Sequence, residues 1–406
     1  MEQSRTEFMP LLFGGDINVY SVARAFHEAY GIKSTVWGKY AIGPCFNSDI
    51  IDYNVCEKND SQENFIKHVR EFADKHKDKT VILVGCGDSY VKLCAENLGH
   101  YPSNVVAPYV TGEMMDKLIH KEKFYEICEE YGIDYPNTFI YRKEMGNNFE
   151  LPFEAPYILK PSNSVMYWEY PFPTQKKVYK LNTREELEIV LKQIYDAGYT
   201  DSIVLQEFIS GDDTYMRVLT NYSDKNGKVK LMSLGHVLLE EHTPHGIGNH
   251  AVIINEYNEE FTIKIKKFLE DMKFIGFSNF DIKYDEKDGK YKVFEINVRQ
   301  GRSNYYVTGS GNNIAKYLVE DYIENKEIEF KIAKEKCLWS VVPRYVMFKY
   351  IKPQEYKNEM KELIKQGKVT NSLDYKIDNK FKRKLSLLKS KLGHVYKYKK
   401  YLGGKK

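Results

Sequence analysis

The sequence predicts a mixed α/β fold, and three patterns support this class. Residues 9–16 are an apolar stretch that ends in two glycines and an aspartate, and residues 19–30 follow with helical spacing. Residues 34–37 and 80–88 contain two further apolar stretches, the second again ending in glycines and an aspartate. Repetition of strand, glycine turn and helix is typical of a small parallel sheet. Residues 280–297 are the third pattern, two short strands around a charged turn.

Glycines and aspartates follow the first and third of the N-terminal strands. Because the carboxyl ends of parallel strands share one edge of a sheet, we expect Gly14, Gly15, Asp16, Gly87 and Asp88 to cluster there. A Gly-Gly-Asp sequence lacks the spacing of a dinucleotide-binding site. Asp16 has two interpretations, as the partner of a substrate ammonium group or as a turn cap.

Two lysines stand where a protein can bind phosphate. Lys160 ends the apolar strand of residues 157–161, and the polar loop that follows contains Ser162 and Ser164. Backbone N–H groups and hydroxyls of such a loop can cradle a phosphate beside the lysine. Lys121 lies upstream on an amphipathic helix that ends in glycine.

The charged hairpin carries oxygen ligands on neighbouring strands. Glu295 and Asn297 are two residues apart, so on a strand they project from the same face, and Asp281 lies on the facing strand. Unpaired carboxylates are costly to bury, and oxygen-only ligands of this kind suit Mg²⁺. The alternative is an ordinary hairpin in which Glu295 pairs with Arg299 or Lys283.

Taken in this order and spacing, the segments resemble the ATP-grasp superfamily over roughly residues 10–325, and within it the carboxylate-amine ligases of the D-aspartate ligase type. The narrower resemblance is carried by residues 160–168, 238–254 and 297–306, which read KPSNSVMYW, LLEEHTPHGIGNHAVII and NVRQGRSNYY. It implies an ATP-grasp fold with an N-terminal Rossmann-like domain, to which the composition adds a basic C-terminal extension. The implied cofactors are ATP and Mg²⁺.

The resemblance also implies a role for each matching residue. Lys121 and Lys160 would hold the ATP phosphates, with Ser162 and Ser164 beside them, and Asp213 would bind the ribose hydroxyls. Arg299 would face the transferring phosphate. The hinge against which adenine stacks would be Gln206, Glu207, Phe208 and Ile209, and the Mg²⁺ ligands would be Asp281, Glu295 and Asn297.

Two departures from related branches affect these assignments. D-Alanine ligases carry an arginine two residues before the metal-binding aspartate, where this chain has Asn279, so Arg217 or Arg299 must supply that charge. The loop after Lys160 also lacks the several glycines common elsewhere in the superfamily. Arg302 and Arg217 are the cations that we expect for a second substrate carboxylate.

The segment of residues 240–250 contains three histidines, His242, His245 and His250, and two glycines. No helix fixes the histidine spacing, so a dedicated metal site is disfavoured. A glycine-hinged loop between two strands suits a lid that excludes water from a reactive acyl phosphate, with His242 and Thr243 toward the substrate. A plain surface loop is the alternative.

Composition separates the C-terminus from the rest of the chain. Residues 380–406 contain eleven Lys and Arg and no Asp or Glu, which leaves 49 basic and 57 acidic residues elsewhere, a formal charge of −8. Residues 338–351 are predicted to form a strand and residues 353–368 a helix. The tail predicts a helix with one apolar stripe. This stripe is formed by Phe381, Leu385, Leu388, Leu392, Val395 and Leu402.

The tail helix has three interpretations. It could pack on the protein body with its basic side in solvent, lie on an anionic membrane surface, or bind a diphosphate-bearing precursor. Six scattered cysteines without a C-x-x-C pair, and the lack of a signal-peptide pattern or long apolar run, favour a cytoplasmic protein. No nucleic-acid partner is expected.

The domain boundaries that follow are residues 1–115 for the N-terminal α/β domain, 116–200 and 201–328 for the small and large ATP-grasp subdomains, and 329–406 for the extension. The implied reaction joins the β-carboxyl group of D-aspartate to the lysine amine of a peptidoglycan precursor through an acyl phosphate. Alternatives are a dipeptide ligase acting on free amino acids, a phosphotransferase and a nucleotide-binding regulator.

Overall fold

The computed structural model describes residues 7–244 and 246–403, and the chain divides into two compact units. The first unit consists of Met1–Gly112, Asp213–Asn279 and Val298–Lys406, and the second consists of Glu113–Asp212 and Phe280–Asn297. Both units are assembled from separate stretches of chain. The division into four continuous domains remains a prediction.

Strands and helices alternate in the N-terminal segment. Their bounds are β1 Phe8–Phe13, α1 Ile17–Tyr30, β2 Ser34–Gly38, β3 Ile51–Val55, α2 Gln62–Lys75, β4 Thr80–Gly85, α3 Asp88–Glu96 and β5 Val105–Val106. All five strands pair in parallel in the order β3-β2-β1-β4-β5. The predicted parallel sheet is therefore confirmed, with two additional strands, β3 and β5.

Helix α1 has bounds that its sequence explains. The Asp16 carboxylate accepts hydrogen bonds from the N–H groups of Asn18 and Val19 and so caps the helix. Gly31 ends the helix with a φ of 67°, in the left-handed region that glycine adopts readily. Residues 17–26 are all buried. This burial fixes the helix N-terminus at the carboxyl edge of the sheet.

An antiparallel sheet forms most of the second unit. The bounds are α4 Gly112–Ile119, α5 Lys121–Glu130, β6 Thr138–Tyr141, β7 Tyr157–Pro161, α6 Ser164–Glu169, β8 Tyr179–Leu181, α7 Arg184–Asp196 and β9 Ile203–Glu207, with a short 3₁₀ turn at Lys143–Met145. The strands pair in the order β6-β9-β7-β8. Leu159, Leu187 and Ile203 belong to one core cluster, which joins helix α7 to this sheet.

The next segment begins with a 3₁₀ turn at Asp213–Tyr215 and supplies a larger sheet and the predicted hairpin. Its elements are β10 Met216–Ser223, β11 Val229–Glu240, β12 His250–Glu256, α8 Glu259–Asp271, β13 Gly276–Asp285 and β14 Lys290–Asn297. In the first unit the strand order is β13-β10-β11-β12. Strand β13 continues into the second unit, where β14 pairs with it. The predicted hairpin is confirmed.

The C-terminal segment completes the first unit. It contains α9 Tyr305–Gly309, α10 Ile314–Tyr322, β15 Lys331–Ile332, β16 Leu338–Ser340, α11 Arg344–Tyr350, α12 Gln354–Lys365, β17 Val369–Thr370 and α13 Phe381–Tyr401. Strands β16 and β17 extend the sheet beyond β12, and β15 pairs with β11. Within the described part of the chain, none of the helices is both long enough and apolar enough to span a bilayer.

The strand predicted for residues 338–351 is wrong beyond Ser340. Pro343 precedes helix α11, whose buried residues Val346, Met347 and Tyr350 follow the three- and four-residue spacing of a helix. A short apolar run does not distinguish a buried strand from a buried helix, which explains the error. The helix predicted for residues 353–368 is confirmed as α12.

Helix α13 turns most of the predicted tail stripe toward solvent. Val395 and Leu402 pack against the core, whereas Arg383 and Tyr398 are the buried residues of the helix. The predicted helix therefore packs on the body, but through Arg383, Val395, Tyr398 and Leu402, and not through the rest of the apolar stripe. The exposed members are Phe381 at 81%, Leu385 at 46%, Leu388 at 54% and Leu392 at 63%.

Asp378 anchors this helix through a buried polar network. Its carboxylate accepts hydrogen bonds from the Tyr20 hydroxyl at 2.7 Å, the Ser48 hydroxyl at 2.7 Å and the Asp49 N–H at 2.8 Å. Arg383 Nε lies 2.8 Å from the same carboxylate. Every partner lies in the first unit, so the network joins its N-terminal and C-terminal segments.

We predict that Arg383→Met lowers the free energy of unfolding by about 3–5 kcal/mol, because it leaves the Asp378 carboxylate buried without its cation. Urea unfolding measures this loss. Lys384→Met removes a neighbouring but exposed cation and is the matched control. Equal stability of the two variants would contradict the structural role of the pair.

Candidate active site

The β13–β14 hairpin brings the three predicted metal ligands together in the second unit. Asn297 Nδ2 lies 3.4 Å from Asp281 Oδ2. Asp281 and Glu295 are close enough to share a hydrogen bond. The hairpin thus presents two carboxylates and one amide as a compact group of oxygen ligands.

Two lysines from other elements meet this group. Lys121 Nζ lies 3.3 Å from Glu295 Oε2, and Lys160 Nζ lies 4.5 Å from the centre of the Phe294 ring. Helix α5 is held on strand β14 because the Tyr125 hydroxyl donates to the Phe294 carbonyl at 2.7 Å. Tyr125 is one helical turn after Lys121, so the same helix face carries the lysine to Glu295.

The lysines and Glu295 shift each other's pKa. Burial would raise the pKa of Glu295, but the charges of Lys121, Lys177 and Lys160 outweigh burial and hold this pKa below its ordinary value. Burial also lowers the pKa of Lys160 to about 8, with Lys121 adding to the effect and Glu295 opposing it. Glu295 is therefore ionised at neutral pH, as a metal ligand must be.

The oxygen atoms of Asp281, Glu295 and Asn297 are ligands that a hard divalent cation prefers. The Asp281 and Glu295 carboxylates are neighbours, so Mg²⁺ would offset their repulsion when both are ionised, and an amide oxygen is a further ligand of the same type. In residues 7–244 and 246–403 there is no cluster of three His, Cys, Asp or Glu side chains able to hold a metal. The Mg²⁺ assignment therefore depends on Asn297 as the third ligand.

Ser162 and Ser164 differ in what they offer a phosphate. The Ser164 hydroxyl lies 3.4 Å from Lys121 Nζ. Ser162 is fully buried; its N–H donates to the Ser202 carbonyl, and its hydroxyl lies 2.9 Å from the Ser202 hydroxyl. Because Ser162 is fully buried, neither group is exposed to a phosphate, whereas Ser164 lies beside the lysine that is expected to bind one.

The predicted adenine hinge, Gln206 to Ile209, follows strand β9. The Glu207 N–H donates to the Asn137 carbonyl, and its side chain bonds Asn137 and Lys292. Phe208 has Lys180 Nζ at 3.5 Å from its ring centre and Lys283 Nζ at 5.5 Å. The hinge is therefore fixed by its own contacts. Its role in adenine binding remains a prediction, and the N–H of Glu207 is already engaged.

The first unit brings the predicted glycine and aspartate rim together. Residue Phe13 of β1 pairs with Gly85 of the neighbouring parallel strand β4, so the segments after both strands lie side by side. Gly14 has a φ of 133°, and a Cβ there would lie 3.6 Å from the Cβ of Cys86. Asp16 lies on this rim and caps α1. The cap was the alternative interpretation of this residue. Burial raises the pKa of Asp16, and the charges of Arg302 and Arg299 oppose this effect.

The three arginines singled out by the sequence have different partners within the first unit. Arg217 forms a buried ion pair with Glu256 and donates to the Thr214 carbonyl. Arg299 Nε lies 2.6 Å from Asp88 Oδ1, and Arg302 Nη2 lies 3.1 Å from Glu241 Oε1. Because Glu256 engages Arg217 in the interior, a role of Arg217 in catalysis stays a prediction that requires it to exchange this partner.

Asn279, where related ligases have arginine, serves the packing of the first unit. Its Oδ1 accepts from the Thr220 hydroxyl at 2.8 Å, and its side chain is buried. A Cβ on Gly301 would lie 2.6 Å from this oxygen. The position therefore has no room for an arginine without movement of the neighbouring backbone.

The segment after strand β11 folds back on that strand. Asp213 Oδ2 lies 2.8 Å from both the Glu240 N–H nitrogen and His242 Nε2, so this carboxylate binds the loop. The Thr243 carbonyl accepts from the Gly246 N–H, and a Cβ on Gly246 would lie 2.4 Å from the Thr243 hydroxyl. Gly246 thus packs closely against the Thr243 and Glu241 side chains, and its role as a hinge stays a prediction. His245 lies outside the described residues.

His250 lies at the other end of this loop, in strand β12. Burial lowers its pKa to about 4, with Arg302 adding to the effect. It is therefore neutral at physiological pH.

Sequence patterns did not identify two contributors to the charge cluster. Lys177 influences Glu295 but lies in an exposed charged segment without periodicity. Phe294 lies under Lys160. The only sequence signal for its position was the two-residue repeat of the strand that also contains Glu295. In the first unit, Glu241 holds Arg302 from a distant loop, a contact that the local sequence does not signal.

No family model matches the chain. The chain is 40% identical to D-aspartate ligase from Enterococcus faecium (strain Aus0004), over 97% of both proteins.

Among solved structures, an L-amino acid ligase from Bacillus licheniformis is similar at 18% identity and a TM-score of 0.52, covering 77% of this chain and 74% of that one. N5-carboxyaminoimidazole synthetase from Staphylococcus aureus has 14% identity, a TM-score of 0.57 and 83% coverage of both chains. These structures share the ATP-grasp fold. The sequence relationship and the fold agree, and the chain belongs to the D-aspartate ligase family of ATP-dependent carboxylate-amine ligases in the ATP-grasp superfamily.

Proposed function

We propose that the protein joins the β-carboxyl group of D-aspartate to the lysine side-chain amine of a peptidoglycan precursor, and releases ADP and phosphate. The observation that carries the proposal is the cluster of Lys121 and Lys160 beside the ionised Glu295. The similarity to a D-aspartate ligase over nearly the whole chain supports the choice of amino acid.

The second unit would bind ATP. Lys121 and Lys160 would pair with the phosphates, Ser164 would donate its hydroxyl, and the hinge from Gln206 to Ile209 would hold adenine. Asp281, Glu295 and Asn297 would hold Mg²⁺, which supplies positive charge to the phosphates. Asp213, which belongs to the first unit, is our proposed ribose ligand, and this role requires it to give up its present contacts with Glu240 and His242.

The first unit would bind the amino acid. D-Aspartate has two carboxylates and one ammonium group, so its site needs at least one fixed cation and one anion. Among the described residues, Arg302 Nη1 is buried and makes no hydrogen bond, while Nη2 is held by Glu241. Arg302 is therefore our choice for the carboxylate that does not react. Asp16, under the charge of Arg302, is our choice for the ammonium group.

The proposed chemistry needs positioning and charge neutralisation but no protein nucleophile. The substrate carboxylate attacks the γ-phosphorus, the lysines stabilise the negative charge on the phosphates, and ADP leaves. Arg299 would steady the acyl phosphate. The amine then attacks the carbonyl carbon and phosphate departs. The loop of residues 240–250, with His242 and Thr243, would exclude water from the acyl phosphate.

Charge and composition support the proposed acceptor and location. A peptidoglycan precursor with its diphosphate would complement the positive C-terminal tail. The use of ATP and six unpaired cysteines support a cytoplasmic reaction.

Hydroxylamine in place of the amine tests the reaction type. With ATP, Mg²⁺ and D-aspartate we expect an aspartyl hydroxamate and ADP, because a small nucleophile intercepts the mixed anhydride. L-Aspartate and D-alanine are the controls for the amino acid. Formation of AMP instead of ADP would contradict an acyl phosphate. Amide formation with free amino acids, but not with a lysine-containing precursor peptide, would favour the dipeptide ligase alternative.

Glu295→Gln is expected to lower kcat about a hundredfold without unfolding the protein, because one charge is lost where the triphosphate is most negative. ADP release at saturating Mg²⁺ measures the effect. Glu286→Gln changes an exposed carboxylate in the turn of the same hairpin and is the control. Near-normal turnover of Glu295→Gln would refute the metal assignment.

The low pKa of Lys160 predicts a pH dependence of ATP binding. Phosphate binds the charged lysine, so the Kd for ATP should be constant well below pH 8 and then rise as Lys160 loses its proton around its pKa of about 8. The rise should approach about tenfold per pH unit. Calorimetric titration across this range measures the Kd. Lys160→Arg keeps its charge and should show no such rise. The same slope in both proteins would assign the titration to another group.

A further inference from the structure

Helix α13 carries an exposed apolar row that the proposed reaction does not use. The row consists of Phe381, Leu385, Leu388, Leu392 and Tyr396, and the last of these is 66% exposed. The members are separated by four, three, four and four residues. At 3.6 residues per turn they fall within roughly a quarter of the helix circumference. The helix therefore presents a continuous apolar strip to solvent.

Lysines border this row on both sides. By the same helical geometry, Lys384 and Lys391 lie along one edge, and Lys382, Lys389 and Lys400 lie along the other. All of them except the half-buried Lys391, which pairs with Asp374, are exposed. The helix has no acidic residue to offset them. An apolar centre with lysines at its margins is the arrangement of helices that lie in a membrane interface.

The opposite side of α13 is attached to the first unit near both helix ends. Arg383 Nε pairs with the buried Asp378 at 2.8 Å, and the Tyr398 hydroxyl donates to the Glu240 carbonyl at 2.6 Å. Arg383 and Tyr398 are both buried. The outward direction of the exposed row is therefore fixed by the folded protein. No rearrangement of the helix is needed to present this row to a flat surface.

We propose that the exposed row of α13 docks the protein on an anionic lipid bilayer. The apolar side chains would enter the interface, and the bordering lysines would lie at the level of the negative headgroups. Charge complementarity favours lipid over a second copy of the chain, because two α13 helices face to face would bring their lysines together. This proposal is independent of the identity of the amine acceptor.

Flotation of the full-length protein with lipid vesicles tests the proposal. The protein should float with vesicles of phosphatidylglycerol and phosphatidylcholine, remain unbound with phosphatidylcholine alone, and lose binding as salt increases. Combined substitution Phe381→Gln, Leu385→Gln, Leu388→Gln and Leu392→Gln should weaken vesicle binding at least tenfold. Combined substitution Lys382→Gln, Lys384→Gln, Lys389→Gln and Lys400→Gln should do the same.

Ile189→Gln with Ile263→Gln is the matched control, because both residues are exposed apolar side chains on other helices, at 57% and 44%. This control should bind vesicles as the wild type does, and ADP release with hydroxylamine should remain normal in every variant. Absence of binding to anionic vesicles would overturn the proposal. Equal binding to neutral vesicles would overturn its electrostatic part. A dimer that the first variant dissociates, without lipid binding by the wild type, would assign the row to a subunit interface.

Discussion

The ionised carboxylate of Glu295 is the centre on which the second unit depends. A half-buried carboxylate is unfavourable without compensating charge, and here helix α5 supplies Lys121 while strand β7 supplies Lys160. Each element reaches the cluster through its own packing. The Tyr125 hydroxyl holds α5 on the hairpin, and the sheet holds β7. The same interactions that stabilise the fold therefore keep two cations ready for a polyanionic ligand.

In the first unit, too, opposite charges are paired, but here the cations are arginines. Its arginines are held by carboxylates from distant parts of the chain, Arg217 by Glu256 and Arg302 by Glu241. The difference lies in exposure. Arg217 is buried, whereas Arg302 keeps 31% of its side chain exposed. Two arginines that look equivalent in sequence thus differ in how much of their side chain reaches solvent.

Local patterns predicted much of this protein because the important elements have strong periodicity. The hairpin with Asp281 and Glu295 follows the two-residue repeat of a strand, and the N-terminal sheet follows repeated glycine turns. Local sequence patterns did not predict the long-range contacts. The partner of Arg217 is 39 residues away. The periodicity of α13 revealed an apolar stripe, but the side of the helix that faces the body is decided by Asp378 and the Glu240 carbonyl.

The network around Asp378 also governs when the first unit can be completed during synthesis. The Tyr20 and Ser48 hydroxyls precede their buried partner, Asp378, by 358 and 330 residues in the sequence. The N-terminal sheet can form early, since its strands are local in sequence. However, these two hydroxyls can bond only water or temporary partners until Asp378 has been synthesised. Native closure of this unit is consequently later than formation of the N-terminal sheet.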